Sequence, residues 1–377
     1  MFRYSTILLL TTSLIFFTTT CADTRNTYHS EHHDFSLTTV TEGLEHPWGL
    51  AFLPDGNFLV TERVGRLRLI IDGQLAAKAV SGLPENIYVK GQGGLLDVAI
   101  HPEFSENNLV YISYAGRGEG GAGTEVARGR LINNRLENTE TIFVVKPKTR
   151  GALHYGSRLV FAADGTLFIT TGDRYKYLHE AQRPDNHLGS IIRINDDGSI
   201  PNNNPFVNHA SYQDEIYSYG HRNPQGLTMR PSNQTIWSHE HGPRGGDEVN
   251  ILKPGANYGW PAITYGIDYS GEIISEKTHA PGMEQPVVYW DPSIAPSGMA
   301  FYTGTHFPQW NGDLFVGALV LKHLRRLKMN KNEVVEQEVL LEGMARIRDV
   351  RSGPDGYIYI LTDEKNGKLI RLEPTNR

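Results

Sequence analysis

The sequence predicts an all-β protein, a six-bladed β-propeller in one domain, and three observations carry that prediction. A two-strand motif recurs along the chain in six copies. Within each copy apolar and polar residues alternate, which is the period of a half-buried strand. No amphipathic helical period is sustained beyond about two turns.

The first copy is residues 48–62, WGLAFLPDGNFLVTE: an alternating run, a Pro-Asp-Gly turn and a second alternating run. Asp-Gly between two such runs is a strong hairpin signal, because glycine accepts the positive φ of a tight turn. The pattern returns at 94–114 (GLLDVAIHPEFSENNLVYISY), 157–173 (SRLVFAADGTLFITTGD) and 226–240 (GLTMRPSNQTIWSHE). The last two copies are 298–317 (GMAFYTGTHFPQWNGDLFVG) and 347–363 (IRDVRSGPDGYIYILTD). Shorter β-type runs such as 66–71 and 191–195 lie between copies. Four short strands per repeat, arranged radially, make a propeller. A β-sandwich with long insertions is the structural alternative, and six similar hairpins argue against it. Residues 265–285, rich in Gly, Ser and charge, predict a long loop inserted over one face.

Met1-Phe2-Arg3 followed by a mostly apolar run, 7–17, reads as an export signal too short to span a bilayer. Residues 1–22 are expected to be removed, leaving an N-terminal extension at 23–40 and the propeller at 41–377. Cys21, the only cysteine, closes the apolar run. It is either a lipid-bearing N-terminus or an ordinary residue near the cleavage point; no Leu stands three positions before it, as lipoprotein signals usually have. In both cases the exported chain is periplasmic or secreted and forms no internal disulfide. Its stability must then come from core burial, for which about 350 residues suffice. A net charge of -6 without a long basic run argues against nucleic acid as a partner.

Because propeller strands run up and down, the entry to a hairpin's first strand and the exit of its second share one rim. Gln92 precedes the second copy, His154 precedes the third, and Asp173 ends it. Arg222 and Asn223 precede the fourth, Lys322 follows the fifth, and Arg346 and Arg348 open the sixth. Singly these are a surface histidine, a turn-capping aspartate, an Asn-Pro turn and a solvated arginine pair. Converging on one rim they outline a site for an anionic ligand, since guanidinium forks match carboxylates. His154 suits a general base, with Asp173 orienting its ring. The stretch 239–260, HEHGPRGGDEVNILKPGANYGW, sets glycine-exposed carbonyls beside carboxylates, donors suited to a hard cation such as Ca²⁺. P-loop, Gly-x-Ser-x-Gly and Cys/His zinc spacings are absent from the sequence.

Five longer motifs, GQGGLLDVAIHPEF (91–104), GHRNPQGL (220–227), EHGPRGGDEVN (240–250), NYGWP (257–261) and RIRDVRSGPDGYIYILTDE (346–364), resemble the glucose/sorbosone dehydrogenase family. The resemblance runs from about residue 46 to 372 in family order, and the family fold is a six-bladed propeller. It implies a soluble, pyrroloquinoline quinone (PQQ)-dependent aldose sugar dehydrogenase. His154 would be the base taking the C1 hydroxyl proton as hydride passes to the quinone, with Asp173 supporting it. Gln92, Arg222, Asn223, Lys322, Arg346 and Arg348 match PQQ-contacting positions; PQQ is a tricarboxylate, which accounts for a cationic rim. Gly242 and Pro243 match carbonyl ligands of a Ca²⁺ that bridges to PQQ. Glu248, Tyr258 and Asp268 resemble ligands of a second, structural Ca²⁺, with Thr264 and Glu284 as weaker matches. The implied partners are an aldose substrate and a separate electron acceptor, in a monomer or dimer that touches a membrane only through a lipid on Cys21. Two other functions fit the fold: an extracellular module binding sugar or protein without redox turnover, and a Ca²⁺-dependent lactonase. A binder has no use for the base, Gly-Pro loop and arginines together, and a lactonase needs axial carboxylates and Asn rather than arginines.

Overall fold

The computed structural model describes Phe2 and residues 26–375, so the export signal and Cys21 lie outside the described residues. Six antiparallel sheets stand around an axis. Blade 1 runs outward through Pro47–Phe52, Phe58–Glu62, Arg66–Ile71 and Gln74–Leu75. Blade 2 is Leu95–Ile100, Leu109–Gly118, Gly121–Ile132 and Arg135–Val144; blade 3 is Leu159–Phe161, Leu167–Thr170, Ser190–Ile194 and Ile216–Tyr219. Blade 4 is Pro224–Met229, Ile236–Glu240, Asp247–Ile251 and Val288–Trp290, and blade 5 is Pro296–Phe301, Leu314–Ala318, Leu324–Asn330 and Glu333–Leu340. The first strand of each blade packs on the first strands of its neighbours, which closes the ring. Each of the six sequence copies is the inner strand pair of one blade. Among the described residues, helix is limited to Phe104–Asn107 and 3-10 turns at Leu178–Gln182 and Pro308–Trp310.

Blade 6 departs from the expected boundaries. Its strands Ile347–Ser352, Ile358–Thr362 and Gly367–Pro374 come from the C-terminus, but the next is Asp34–Leu44, edged by Tyr28–His29. Part of the 23–40 segment, expected as an extension, therefore belongs to the ring. Pairing Asp34–Leu44 with Gly367–Pro374 covers an edge that would otherwise expose unpaired N–H and C=O groups.

One apolar cluster fills each interface between blades. The axis is polar instead. The third residue of the inner strand is Gly49, Gly226 or Gly298 in three blades and Asp97 or Asp349 in two. A Cβ at Gly49 or Gly298 would overlap the Asp97 or Asp349 carboxylate, so glycine makes room for the acids. Arg158 Nη1 reaches Asp97 and Asp349 at 3.2 and 2.9 Å, and Arg351 joins the same two acids at 2.9 Å each. Both carboxylates also accept backbone N–H groups of the following blade, from Leu159 and Leu50. This plug ties four blades together beneath the mouth, the face where inner strands begin.

The long blade 4 connection, 252–287, leaves and re-enters the sheet on the opposite face, yet climbs to the mouth. There Ile267 pairs with Arg244, and Trp260 reaches blade 3. The expected loop over one face is therefore part of the mouth's wall.

Candidate active site

Blade 3 builds the first half of the site from the residues before its inner strand and after its second. His154 Nδ1 meets Asp173 Oδ1 at 2.7 Å. Asp173 is buried, and it also accepts the Trp260 indole N–H at 2.8 Å and the Tyr175 N–H at 2.7 Å. Burial alone would raise the Asp173 carboxyl, but the hydrogen bond and charge of His154, with Arg222, hold it below its ordinary value. A carboxylate only accepts, so Nδ1 carries the imidazole proton and Nε2 is the basic nitrogen. Burial first, then Arg222, lower the His154 pKa against the upward pull of Asp173, so the ring is neutral at neutral pH.

His154, Arg174 and Tyr175 hold left-handed φ of 52°, 60° and 67°. Such angles are uncommon outside glycine and persist where surroundings enforce them. Arg174 enforces them here. Its buried guanidinium donates to the carbonyls of Leu153, His154 and Gly151 and lies 3.6 Å over the Tyr155 ring. Two expected cofactor residues also hold this loop: Gln92 Oε1 accepts the His154 N–H at 2.8 Å, and Asn223 Oδ1 accepts the Gly156 N–H at 3.1 Å. The Tyr175 ring stands edge-on to the imidazole, 5.3 Å away.

Blade 6 and its neighbours build the second half, a cavity of about 290 Å³ lined by Trp48, Arg63, Gln92, Gln225, Arg346 and Arg348, among others. Arg348 is buried; it donates to Gln225 Oε1 at 2.9 Å and Asp363 Oδ2 at 3.0 Å, while its Nε–H has no partner. Arg346 bonds the Leu319 carbonyl at 3.1 Å and approaches Asp363 at 3.5 Å. Burial would raise the Asp363 carboxyl, but Arg348, His46 and Arg346 outweigh it and hold it well below the usual range. Lys322 is exposed on the loop that follows blade 5's second strand and does not line this cavity.

The Gly242-Pro243 loop joins the two halves. Arg222 Nη1 donates to the carbonyls of His241 and Gly242 at 3.0 and 2.8 Å. A carbonyl has two lone pairs, so Gly242 retains acceptor capacity. Asp247 pins the loop by accepting the N–H groups of Gly242, Ile294 and Ala295 and the Ser293 hydroxyl. Burial pushes the Asp247 carboxyl up to about 6. Behind the loop, Glu240 and Glu248 are cross-strand partners beside a cavity of about 10 Å³, bounded also by Tyr258 and Thr264. Burial and the facing Glu240 push Glu248 up to about 8, which is the electrostatics of a place that wants a cation. Asp268 does not line this cavity; its carboxylate takes the Ser270 N–H at 2.8 Å on its own turn. Glu284 instead pairs with Lys253 at 2.6 Å. Among the described residues, no three His, Cys, Asp or Glu side chains converge as metal ligands, so a cation here would need backbone carbonyls besides the Glu240 and Glu248 carboxylates.

Asp363, Arg174, Asp247 and Trp260 were among the site residues not singled out from sequence. Asp363 had a signal: it closes its repeat as Asp173 and Glu240 close theirs. Arg174 carried none; Asp247 and Trp260 lie inside the 239–260 stretch, but their partners Ser293, Ile294 and Asp173 are distant in the chain.

A propeller with a carboxylate-backed neutral histidine beside a cationic cavity has the groups of an enzyme: a base, its orienter and an anion site. The glucose/sorbosone dehydrogenase family model matches residues 44–371, and the chain belongs to that family. It is 45% identical over 348 residues to the aldose sugar dehydrogenase YliI of Escherichia coli, covering 90% of this chain and 93% of that one. The crystal structure of the soluble E. coli aldose sugar dehydrogenase in its apo-form superposes with a TM-score of 0.87 at 43% identity, over 90% of this chain and 100% of that one. The PQQ-bound aldose sugar dehydrogenase of Streptomyces coelicolor superposes with a TM-score of 0.75 at 26% identity, over 90% and 98%.

Proposed function

We propose that this protein is a PQQ- and Ca²⁺-dependent dehydrogenase that oxidises aldoses at C1 to lactones and passes the electrons to a separate acceptor. The observation that carries the reading is the neutral His154, backed by Asp173 at 2.7 Å and joined through Gln92 to an arginine-lined cavity. The orphaned Arg348 Nε–H and the adjoining Arg346 suit a polycarboxylate. We assign Gln92, Arg222, Asn223, Arg346 and Arg348 to holding PQQ, and the Gly242 and Pro243 carbonyls to the Ca²⁺ beside it; Lys322, exposed outside the cavity, is left out. Glu248 and the Tyr258 carbonyl are assigned to a structural Ca²⁺; Glu240 faces the same cavity, and Asp268 lies outside it. When bound, the quinone supplies a two-electron acceptor and Ca²⁺ polarises it.

The chain's own residues do the rest. His154 Nε2 takes the C1 hydroxyl proton, and Asp173 stabilises the resulting imidazolium without itself being protonated. Trp260 and Tyr175 fix the Asp173 oxygens, so the imidazole is oriented before substrate arrives. The chain is read as exported through residues 1–22; among the described residues no helix is long and apolar enough to cross a membrane. Dye-linked reduction by EDTA-treated protein tests the function. Turnover of aldoses should appear only when PQQ and Ca²⁺ are both restored. Protein that binds no PQQ and reduces no dye would overturn the reading in favour of a sugar- or protein-binding propeller.

A further inference from the structure

Three acid–histidine pairs of the mouth share one construction. In blades 3, 4 and 6 an acid closes the second strand: Asp173, Glu240 and Asp363. In each case a histidine that precedes an inner strand sets Nδ1 on that acid: His154 at 2.7 Å, His221 at 2.8 Å and His46 at 2.9 Å. The first pair is the base and its orienter, and the second backs the Glu240–Glu248 cavity. The third belongs to neither. Asp363 lines the arginine cavity, while His46 stands behind it and does not.

The three partners of Asp363 are divided between its oxygens. His46 holds Oδ1, while Arg348 Nη2 and Arg346 Nη2 both turn to Oδ2, at 3.0 and 3.5 Å. A carboxylate only accepts, so His46 Nδ1 carries the proton and donates it. Arginine meets a carboxylate most strongly as a fork, two N–H groups on two oxygens. With Oδ1 taken, neither arginine can close that fork. The backbone keeps the imidazole in place. His46 lies at a left-handed φ of 48°, and its N–H donates to the Glu364 carbonyl at 2.8 Å. Its own carbonyl accepts the N–H of Arg63, another cation of the cavity wall, at 3.0 Å.

We propose that His46 is a positioning residue for the cofactor: by occupying Oδ1 of Asp363 it keeps Arg346 and Arg348 from closing on that acid and leaves their N–H groups to the carboxylates of PQQ. This rests on the PQQ reading above. His46 lies outside the cavity, so it acts through Asp363. Without the imidazole, Asp363 offers both oxygens to the arginines and competes with the cofactor for them.

The test titrates PQQ into apoprotein variants in the presence of Ca²⁺, with melting curves to check each fold. His46→Gly removes the imidazole at a φ that glycine adopts without strain. His46→Asn puts an amide N–H where Nδ1 stood, and Asn also tolerates left-handed φ. His46→Gly should bind PQQ about three- to tenfold more weakly, and His46→Asn should restore most of the affinity. In an Asp363→Asn background there is no carboxylate fork to block, so His46→Gly should have no further effect. Wild-type affinity in His46→Gly, a loss that His46→Asn does not restore, or a loss that persists with Asp363→Asn would overturn the positioning role alone. A wild-type protein that binds no PQQ would overturn the cofactor reading and the proposal with it.

Discussion

Two charged clusters share the centre of this propeller, one above the other, and they are built to opposite ends. In the lower plug, two arginines face two aspartates, and the acids' remaining lone pairs take backbone N–H groups. In the upper mouth, Arg348 and Arg346 share the single carboxylate of Asp363, two positive charges against one negative. Burying a charge is costly unless it is paired, so a balanced cluster can serve as a joint while an unbalanced one favours a ligand that completes it. The same residue types therefore read as scaffold at one level and as site at the next, and the balance of partners tells them apart.

The comparison is sharpened by removing one arginine from each level. Arg158→Met strips a buried partner from Asp97 and Asp349 together and should cost about 3–5 kcal/mol, seen as a large drop in thermal and denaturant midpoints. Arg348→Met should lower the melting temperature less, because Asp363 keeps His46 and Arg346. Its main effect should be on PQQ titrations, with affinity reduced about tenfold or more, the value of a charge-assisted hydrogen bond. If Arg348→Met proved the more destabilising of the two, the distinction between joint and site would fail.

Smaller effects probe the parts around the mouth. Calcium should raise the melting temperature of wild-type apoprotein by a few degrees, since it binds only the folded chain. Glu248→Gln should abolish most of that shift; an undiminished shift would remove Glu248 from the cation site. Arg174 is one of the cations that lower the His154 pKa. Turnover needs the neutral base, so kcat should hold through the ordinary imidazole range and fall only at lower pH. Removing a nearby cation raises the base's pKa, so in Arg174→Met the acidic limb should move up, by less than about one pH unit. A limb that stays put would limit Arg174 to holding the loop.

The inner half of every blade was legible in the sequence because its determinants are local. Period-two alternation and a turn such as Pro54-Asp55-Gly56 lie within some fifteen residues of each other. The rim followed from the same logic, since strand direction alone sends His154, Asp173, Arg222 and Arg348 to one face. What stayed hidden depends on partners distant in the chain. Asp34–Leu44 completes blade 6 beside Gly367–Pro374, so the boundary at 41 fell inside a strand. Trp260 reaches Asp173 from a connection rooted on the far face, and no local pattern announces that climb. Asp268 and Lys322 were matched by resemblance in loops, and the structure leaves their side chains outside the two cavities they were expected to serve.

The most direct test of the central claim measures sugar oxidation and PQQ binding on the same preparation of His154→Ala. The base is separate from the arginines, so turnover should fall by about 10²–10⁴-fold while PQQ titrates as in the wild type. Retained turnover in that variant would contradict the assignment of His154, and with it the reading of the mouth as a site completed by its cofactor.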